Sequence, residues 1–151
     1  MATRLPPQRV AVTGASGLIG TALLGHLRSE GHTVQRLVRR PAIARDEISW
    51  DPKAGTVDLN SLEGVDAVIH LAGAGVGDKR WTKKYKSAIL NSRLLGTTAI
   101  ANAVATVKPS IFISGSAIGW YGEPGNRAVT ESDRGGDDFL AAVCREWEGA
   151  A

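Results

Sequence analysis

The chain has one cysteine, Cys144, in 151 residues. A single thiol cannot build an intrachain disulfide framework, and such scarcity fits a reducing compartment. No apolar run approaches the ~20 residues that a membrane helix needs. The start, M-A-T-R-L-P-P-Q-R, has no apolar signal core and reads as a short ragged leader. Neither sign of charge dominates: the formal net charge is +3, and the basic residues are spread over several segments. A basic stripe of the kind that marks a nucleic-acid surface is missing. Internal repeats and low-complexity tracts are missing too. These absences predict a soluble cytoplasmic protein that partners neither membrane nor nucleic acid and holds no metal.

What is present suffices for a core. Apolar residues make up 43% of the chain, and the length fits one domain over residues 1–151. The most informative stretch is residues 10–20, V-A-V-T-G-A-S-G-L-I-G. An apolar β-type run meets glycines at 14, 17 and 20, and a helix-compatible pattern begins at Leu18. Strand, tight turn and helix in that order give a glycine motif its meaning. Gly14 leaves the strand sharply, Gly17 lets a bulky anion approach the backbone, and Gly20 lets the helix pack closely on the sheet. The first helical N–H groups lack intrahelical partners and sit at the positive end of the helix dipole, so a pyrophosphate satisfies them. Ser16 adds a hydroxyl. The spacing is G-x-x-G-x-x-G rather than the G-x-G-x-x-G of ordinary dehydrogenases.

Along the chain, strands are expected at about residues 9–13, 33–38, 47–50, 67–71 and 110–114. Helices are expected at about 18–30, 82–107 and 138–148. Leu18, Ala22, Leu23 and Leu27 are assigned to the buried side of the first helix, and Gly31 to its close. Residues 57–62 read as an irregular excursion with a short helix. Strands alternating with helices predict an α/β fold, a Rossmann-type parallel sheet of about five strands with helices on both faces.

Several side chains are candidates for chemistry. Arg39 stands where a NAD-binding fold places a carboxylate for the ribose 2′-OH. A guanidinium there can bind a 2′-phosphate bidentately, which favours NADP with NAD as the alternative; otherwise Arg39 and Arg40 are two solvated arginines at a strand end. Asp51 either accepts from an adenine amino group or caps the following turn. His70 falls inside a strand and reads as a core residue rather than a catalyst. Lys79, Arg80, Lys83, Lys84 and Lys86 form either a solvated helix start or a patch for an acidic substrate. Glu131 and Asp133 follow a turn-rich loop at 120–125.

The chain resembles the extended short-chain dehydrogenase/reductase superfamily in its epimerase-like branch, and more closely the atypical SDR39U1-like and YfcH-like epimerase family proteins. The residues that carry this are V-T-G-A-S-G-L-I-G (12–20), L-V-R-R (37–40), W-D-P (50–52), V-I-H-L-A-G-A (68–74), K-R-W-T (79–82), S-R-L-L-G-T (92–97), S-G-S-A-I-G-W-Y-G (114–122) and F-L-A-A-V-C-R-E-W-E (139–148). The resemblance implies that Gly14, Ser16, Gly17, Leu18 and Ile19 hold the pyrophosphate, with Gly20 completing the motif. It further implies that Arg39 and Arg40 hold the 2′-phosphate, that Asp51 borders the adenine, and that Leu71, Ala72 and Gly73 line the cofactor. Ser116 matches the active-site serine. The superfamily's Tyr-x-x-x-Lys pair does not match: its places fall on Leu140 and Cys144. Tyr121 is then the substitute acid, and Cys144 reads as a buried small residue rather than a nucleophile.

The resemblance therefore implies an NADP-binding oxidoreductase or epimerase-like protein acting on a carbonyl or nucleotide-sugar-like substrate. The alternative is an NADP(H)-binding sensor without turnover. Members of this family continue well past residue 151. The chain is thus expected to be an N-terminal portion, with a strand order of 3-2-1-4-5 and a bare last strand that invites pairing with a second copy.

Overall fold

The structure is a computed structural model and describes residues 6–151. Residues 1–5 of the expected leader lie outside the described residues. The elements are β1 (Arg9–Thr13), α1 (Leu18–Ser29), β2 (Thr33–Val38), β3 (Glu47–Asp51), β4 (Thr56–Val57), α2 (Leu59–Leu62), β5 (Ala67–His70), α3 (Lys83–Val107), β6 (Ile111–Ser114) and α4 (Phe139–Gly149), with a 3-10 turn at Ile118–Tyr121.

The sheet runs in the order β4-β3-β2-β1-β5-β6. Its five long strands are parallel and follow the expected order. The sixth strand departs from expectation. β4 pairs antiparallel with β3, Trp50 opposite Val57 and Asp51 opposite Thr56. A two-residue strand has too little periodicity to read from sequence. What makes it is the turn between: Asp51 Oδ1 accepts from Lys53 N (2.8 Å) and Ala54 N (3.2 Å), and the chain then reverses at Gly55.

β1 alternates its side chains between two cores, as period-2 geometry requires. Val10 and Val12 pack with Leu24, Val34 and Ala67 on the α1 face. Ala11 packs with Leu37, Ile48, Trp50, Val68, Ile100 and Ala103 on the α3 face. Helices on both faces leave β1 and β5 apolar almost throughout. β6 is an open edge, with Ile111 and Ile113 half exposed. No helix among the described residues is long and apolar enough to cross a membrane.

The register of α1 differs from the sequence expectation. Leu18 is 92% exposed and Ala22 is also exposed, whereas Gly20 and Leu24 are buried and Leu23 and Leu27 half-buried. Close contact decides this. A Cβ on Gly20 would lie 2.2 Å from the Gly14 carbonyl oxygen. The helix therefore seats its residue 20 directly on the turn, and residue 18 points away from the sheet.

Candidate functional site

The β1–α1 turn sets the site. Gly14 has φ +67°, and a Cβ there would meet the Leu71 carbonyl carbon at 2.8 Å. Gly14 and Gly20 thus serve the close packing of turn, helix and β5. Gly17 N donates to Gly14 O (3.0 Å), tightening the turn. Gly17 is the N-cap of α1 and offers no side-chain cap. The other three α-helices are capped: Asp58, Thr82 and Asp138 accept from the backbone N–H groups of Ser61, Tyr85 and Ala141. The N-terminal N–H groups of α1 remain open to a ligand's oxygens, as an anion site requires.

The turn and the Gly17 N-cap border a cavity of about 600 Å³. Gly14, Ser16 and Gly17 form one wall, Arg39 and Arg40 another, and Leu71, Ala72 and Gly73 a third. Trp50, Arg36 and Ala15 also line it. Leu18, Ile19, Gly20 and Asp51 are not among the lining side chains. Asp51 Oδ1 caps the β3–β4 turn.

The two arginines differ. Arg40 gives Nη2 to Glu47 Oε1 (2.6 Å) and Nη1 to Oε2 (2.8 Å). Arg39 is exposed and has no ion-pair partner among the described residues. Glu47 was not picked out in the sequence, where it looks like one more polar residue at a strand start. Its side chain is 2% exposed, and paired hydrogen bonds, that to Arg40 first, hold its carboxyl at about 2.

The wall made by residues 71–73 is held from behind. Thr13 Oγ1 accepts from Leu71 N (3.0 Å) and Ala72 N (3.2 Å). Its own proton therefore goes to His70 Nδ1, 2.7 Å away. His70 is completely buried, and desolvation pushes its pKa down to about 4, so the ring is neutral and structural. Arg93 lies behind Gly73, donating to Ala74 O (2.9 Å) and resting over the Trp147 ring at 4.9 Å. Burial lowers the pKa of this guanidinium. Within S-R-L-L-G-T nothing local announced that role.

A second cavity, of about 390 Å³, brings together Ser116, Tyr121, Glu131, Asp133 and Glu148. Ser116 Oγ donates to Glu148 Oε1. Asp133 is occupied by Thr130 N and by Arg127. Leu140 and Cys144 instead face the 3-10 turn: the Cys144 thiol lies 3.7 Å from Ala117 O, and Leu140 Cβ lies against Gly119. Burial raises the thiol's pKa, which disfavours a nucleophilic thiolate. The basic cluster lines neither cavity; Lys86 lies over the Trp81 and Phe139 rings at 5.5 and 5.0 Å.

The model of the NAD dependent epimerase/dehydratase family matches residues 10–139, from the first residue of the β1 core to the start of α4. The chain belongs to the NAD dependent epimerase/dehydratase family. An epimerase family protein of Mycobacterium leprae is 42% identical over 141 residues, covering 93% of this chain and 46% of that protein. Among solved structures, a nucleoside-diphosphate sugar epimerase from Corynebacterium glutamicum matches at 40% identity with a TM-score of 0.81, over 96% of this chain and 30% of that one. The human epimerase family protein SDR39U1, solved with NADPH, matches at 31% identity with a TM-score of 0.80, over 94% of this chain and 48% of that one. The chain thus spans about half the length of the curated relatives it matches.

Proposed function

We propose that this epimerase-family chain is the NADP-binding part of an oxidoreductase or epimerase-like enzyme acting on a carbonyl or nucleotide-sugar-like substrate. The observation that carries the reading is the meeting of two features in one cavity: the uncapped start of α1 and the unpaired guanidinium of Arg39. The first fits a pyrophosphate and the second a 2′-phosphate. Ser16 and the N–H groups of Leu18 and Ile19 would hold the pyrophosphate, with Gly14 and Gly17 giving it close approach to the turn. Arg39 would face the ribose phosphate, with Arg40 beside it tied to Glu47, while Trp50 and the adjoining Asp51 border the adenine end. Leu71, Ala72 and Gly73 would lie along the rest. The relative solved with NADPH agrees with this, and the family's NAD-dependent name keeps NAD as the alternative.

When bound, the dinucleotide supplies hydride exchange at carbon. The chain's own groups handle the oxygen. Ser116 and Tyr121 would hydrogen-bond the reacting oxygen in the second cavity. The Tyr121 phenol, lacking the superfamily's paired lysine, would serve there as a proton donor rather than a base.

Titration of the protein with NADPH and NADH, followed by fluorescence, tests the reading. Tighter NADPH binding that Arg39→Asp selectively weakens is expected. Equal affinity for the two, or binding of neither, refutes the NADP assignment.

A second reading is a cofactor-binding sensor without turnover. Leu140 and Cys144, packed on the 3-10 turn where the superfamily's Tyr and Lys would stand, favour it. Tight NADPH binding with no turnover on a panel of nucleotide sugars and carbonyls by the full-length protein would establish it.

A further inference from the structure

Three cations line the first cavity, Arg36, Arg39 and Arg40, and two of them are already committed. Glu47 Oε1 accepts from Arg40 Nη2 at 2.6 Å and from Arg36 Nη2 at 3.1 Å. Glu47 Oε2 accepts from Arg40 Nη1 at 2.8 Å, Ile43 N at 3.0 Å and Ala44 N at 3.3 Å. Both carboxylate oxygens are saturated, and the planar fork of Arg40 is met bidentately by the group that fits it best. Arg36 also gives Nε and Nη2 to Asp46, at 2.9 and 3.0 Å, and Arg28 joins that carboxylate at 3.2 Å. Arg40 Nη1 also reaches Pro41 O at 3.0 Å.

We infer that Glu47 is the positioning residue for phosphate selectivity: it neutralises Arg40 in the cavity wall, while Asp46 holds Arg36, and so leaves Arg39 as the arginine of that wall that meets a ribose 2′-phosphate. The inference rests on the NADP reading above. Arg40 and Glu47 together are a neutral pair, with three Arg40 N–H groups given to Glu47 and Pro41, so they offer a dianion no net charge. Arg39 keeps its full charge and its fork. Two adjacent arginines that look interchangeable in L-V-R-R therefore do different work. One meets the ligand, and the other clamps the chain between β2 and β3 through a buried carboxylate.

The test is binding of NADPH, NADH and adenosine 2′,5′-bisphosphate to the full chain and its variants, with circular dichroism and thermal melting as the check on folding. Arg39→Ala should weaken NADPH and the bisphosphate by about tenfold or more, the worth of a charge-assisted bond, with NADH within about twofold. Arg40→Ala should change NADPH affinity by less than about threefold. Adding Glu47→Gln to Arg39→Ala should release Arg40 and restore about threefold or more of the lost NADPH affinity, with NADH unchanged. A merely structural Glu47 predicts no such recovery.

If Arg40→Ala costs as much as Arg39→Ala, or if the double variant binds NADPH no better than Arg39→Ala alone, the inference is wrong while the NADP reading stands. If the wild type binds neither dinucleotide, or both equally, the NADP reading fails and takes the inference with it. Should Glu47→Gln not fold, the comparison of the two exposed arginines decides.

Discussion

The Thr13 hydroxyl lies 2.7 Å from His70 Nδ1, joining the C-terminal ends of β1 and β5 just behind the first cavity. The same oxygen accepts two backbone N–H groups, from Leu71 and Ala72. One buried hydroxyl thus orients the histidine and holds the wall that residues 71–73 present to the ligand. Thr13→Val keeps the shape and removes all three bonds. Stranding two backbone donors and a ring acceptor should cost about 2–4 kcal/mol. Urea unfolding reads this directly, and Thr13→Ser should recover most of it. A valine variant within 0.5 kcal/mol of the wild type, roughly the noise of a surface change, would mean the bonds are replaced elsewhere.

His70 makes stability depend on pH. Its folded pKa is about 4, below the ordinary 6.5, because burial disfavours the charged ring. The unfolded chain therefore takes up the proton first. This site contributes its full share above pH 6.5, loses stability as the pH falls towards 4, and changes no further below that. The loss at the acid end is ~3 kcal/mol. Comparing denaturant midpoints of the wild type and His70→Gln from pH 7 to pH 4 isolates the effect from that of the carboxylates. The two profiles should differ in slope across that window, and parallel profiles would contradict the assignment.

Two glycines in one helix should respond oppositely to alanine. A Cβ on Gly20 would enter the Gly14 carbonyl at 2.2 Å, whereas one on Gly25 meets nothing within 4 Å. Gly25→Ala should stabilise the protein by about 0.5–1 kcal/mol through helix propensity and the lower entropy of the unfolded chain. Gly20→Ala must push α1 off the turn, costing about 2 kcal/mol or more, and should weaken NADPH binding because the helix start moves with it. Thermal melting and a binding titration of the two variants check both halves.

Ser116 and Glu148 share a hydrogen bond in the second cavity, with Tyr121 beside them. If Ser116 holds the reacting oxygen, Ser116→Ala in the full-length protein should lower kcat roughly 100-fold and leave NADPH affinity unchanged. A variant that loses cofactor affinity instead would place Ser116 in binding rather than chemistry.

Much of this was legible in the sequence, for a local reason. Strand and helix periods, the glycine spacing at 14, 17 and 20, and the arginine at 39 depend on neighbours a few residues away. They determined the α/β alternation and the glycine turn between β1 and α1, while the order of the five long strands came with the family resemblance. Tertiary contact decided the rest. The seating of Gly20 on Gly14 turned Leu18 outward, against its hydrophobicity. Asp51 went to the β3–β4 turn. Arg40 went to Glu47, Arg93 to the back of Gly73, and Ser116 to Glu148. Each of these partnerships depends on which atom lies across a hydrogen bond or a void once the chain has closed on itself. Side-chain pattern states which residues are apolar and which can bond, and only the packed chain states with whom.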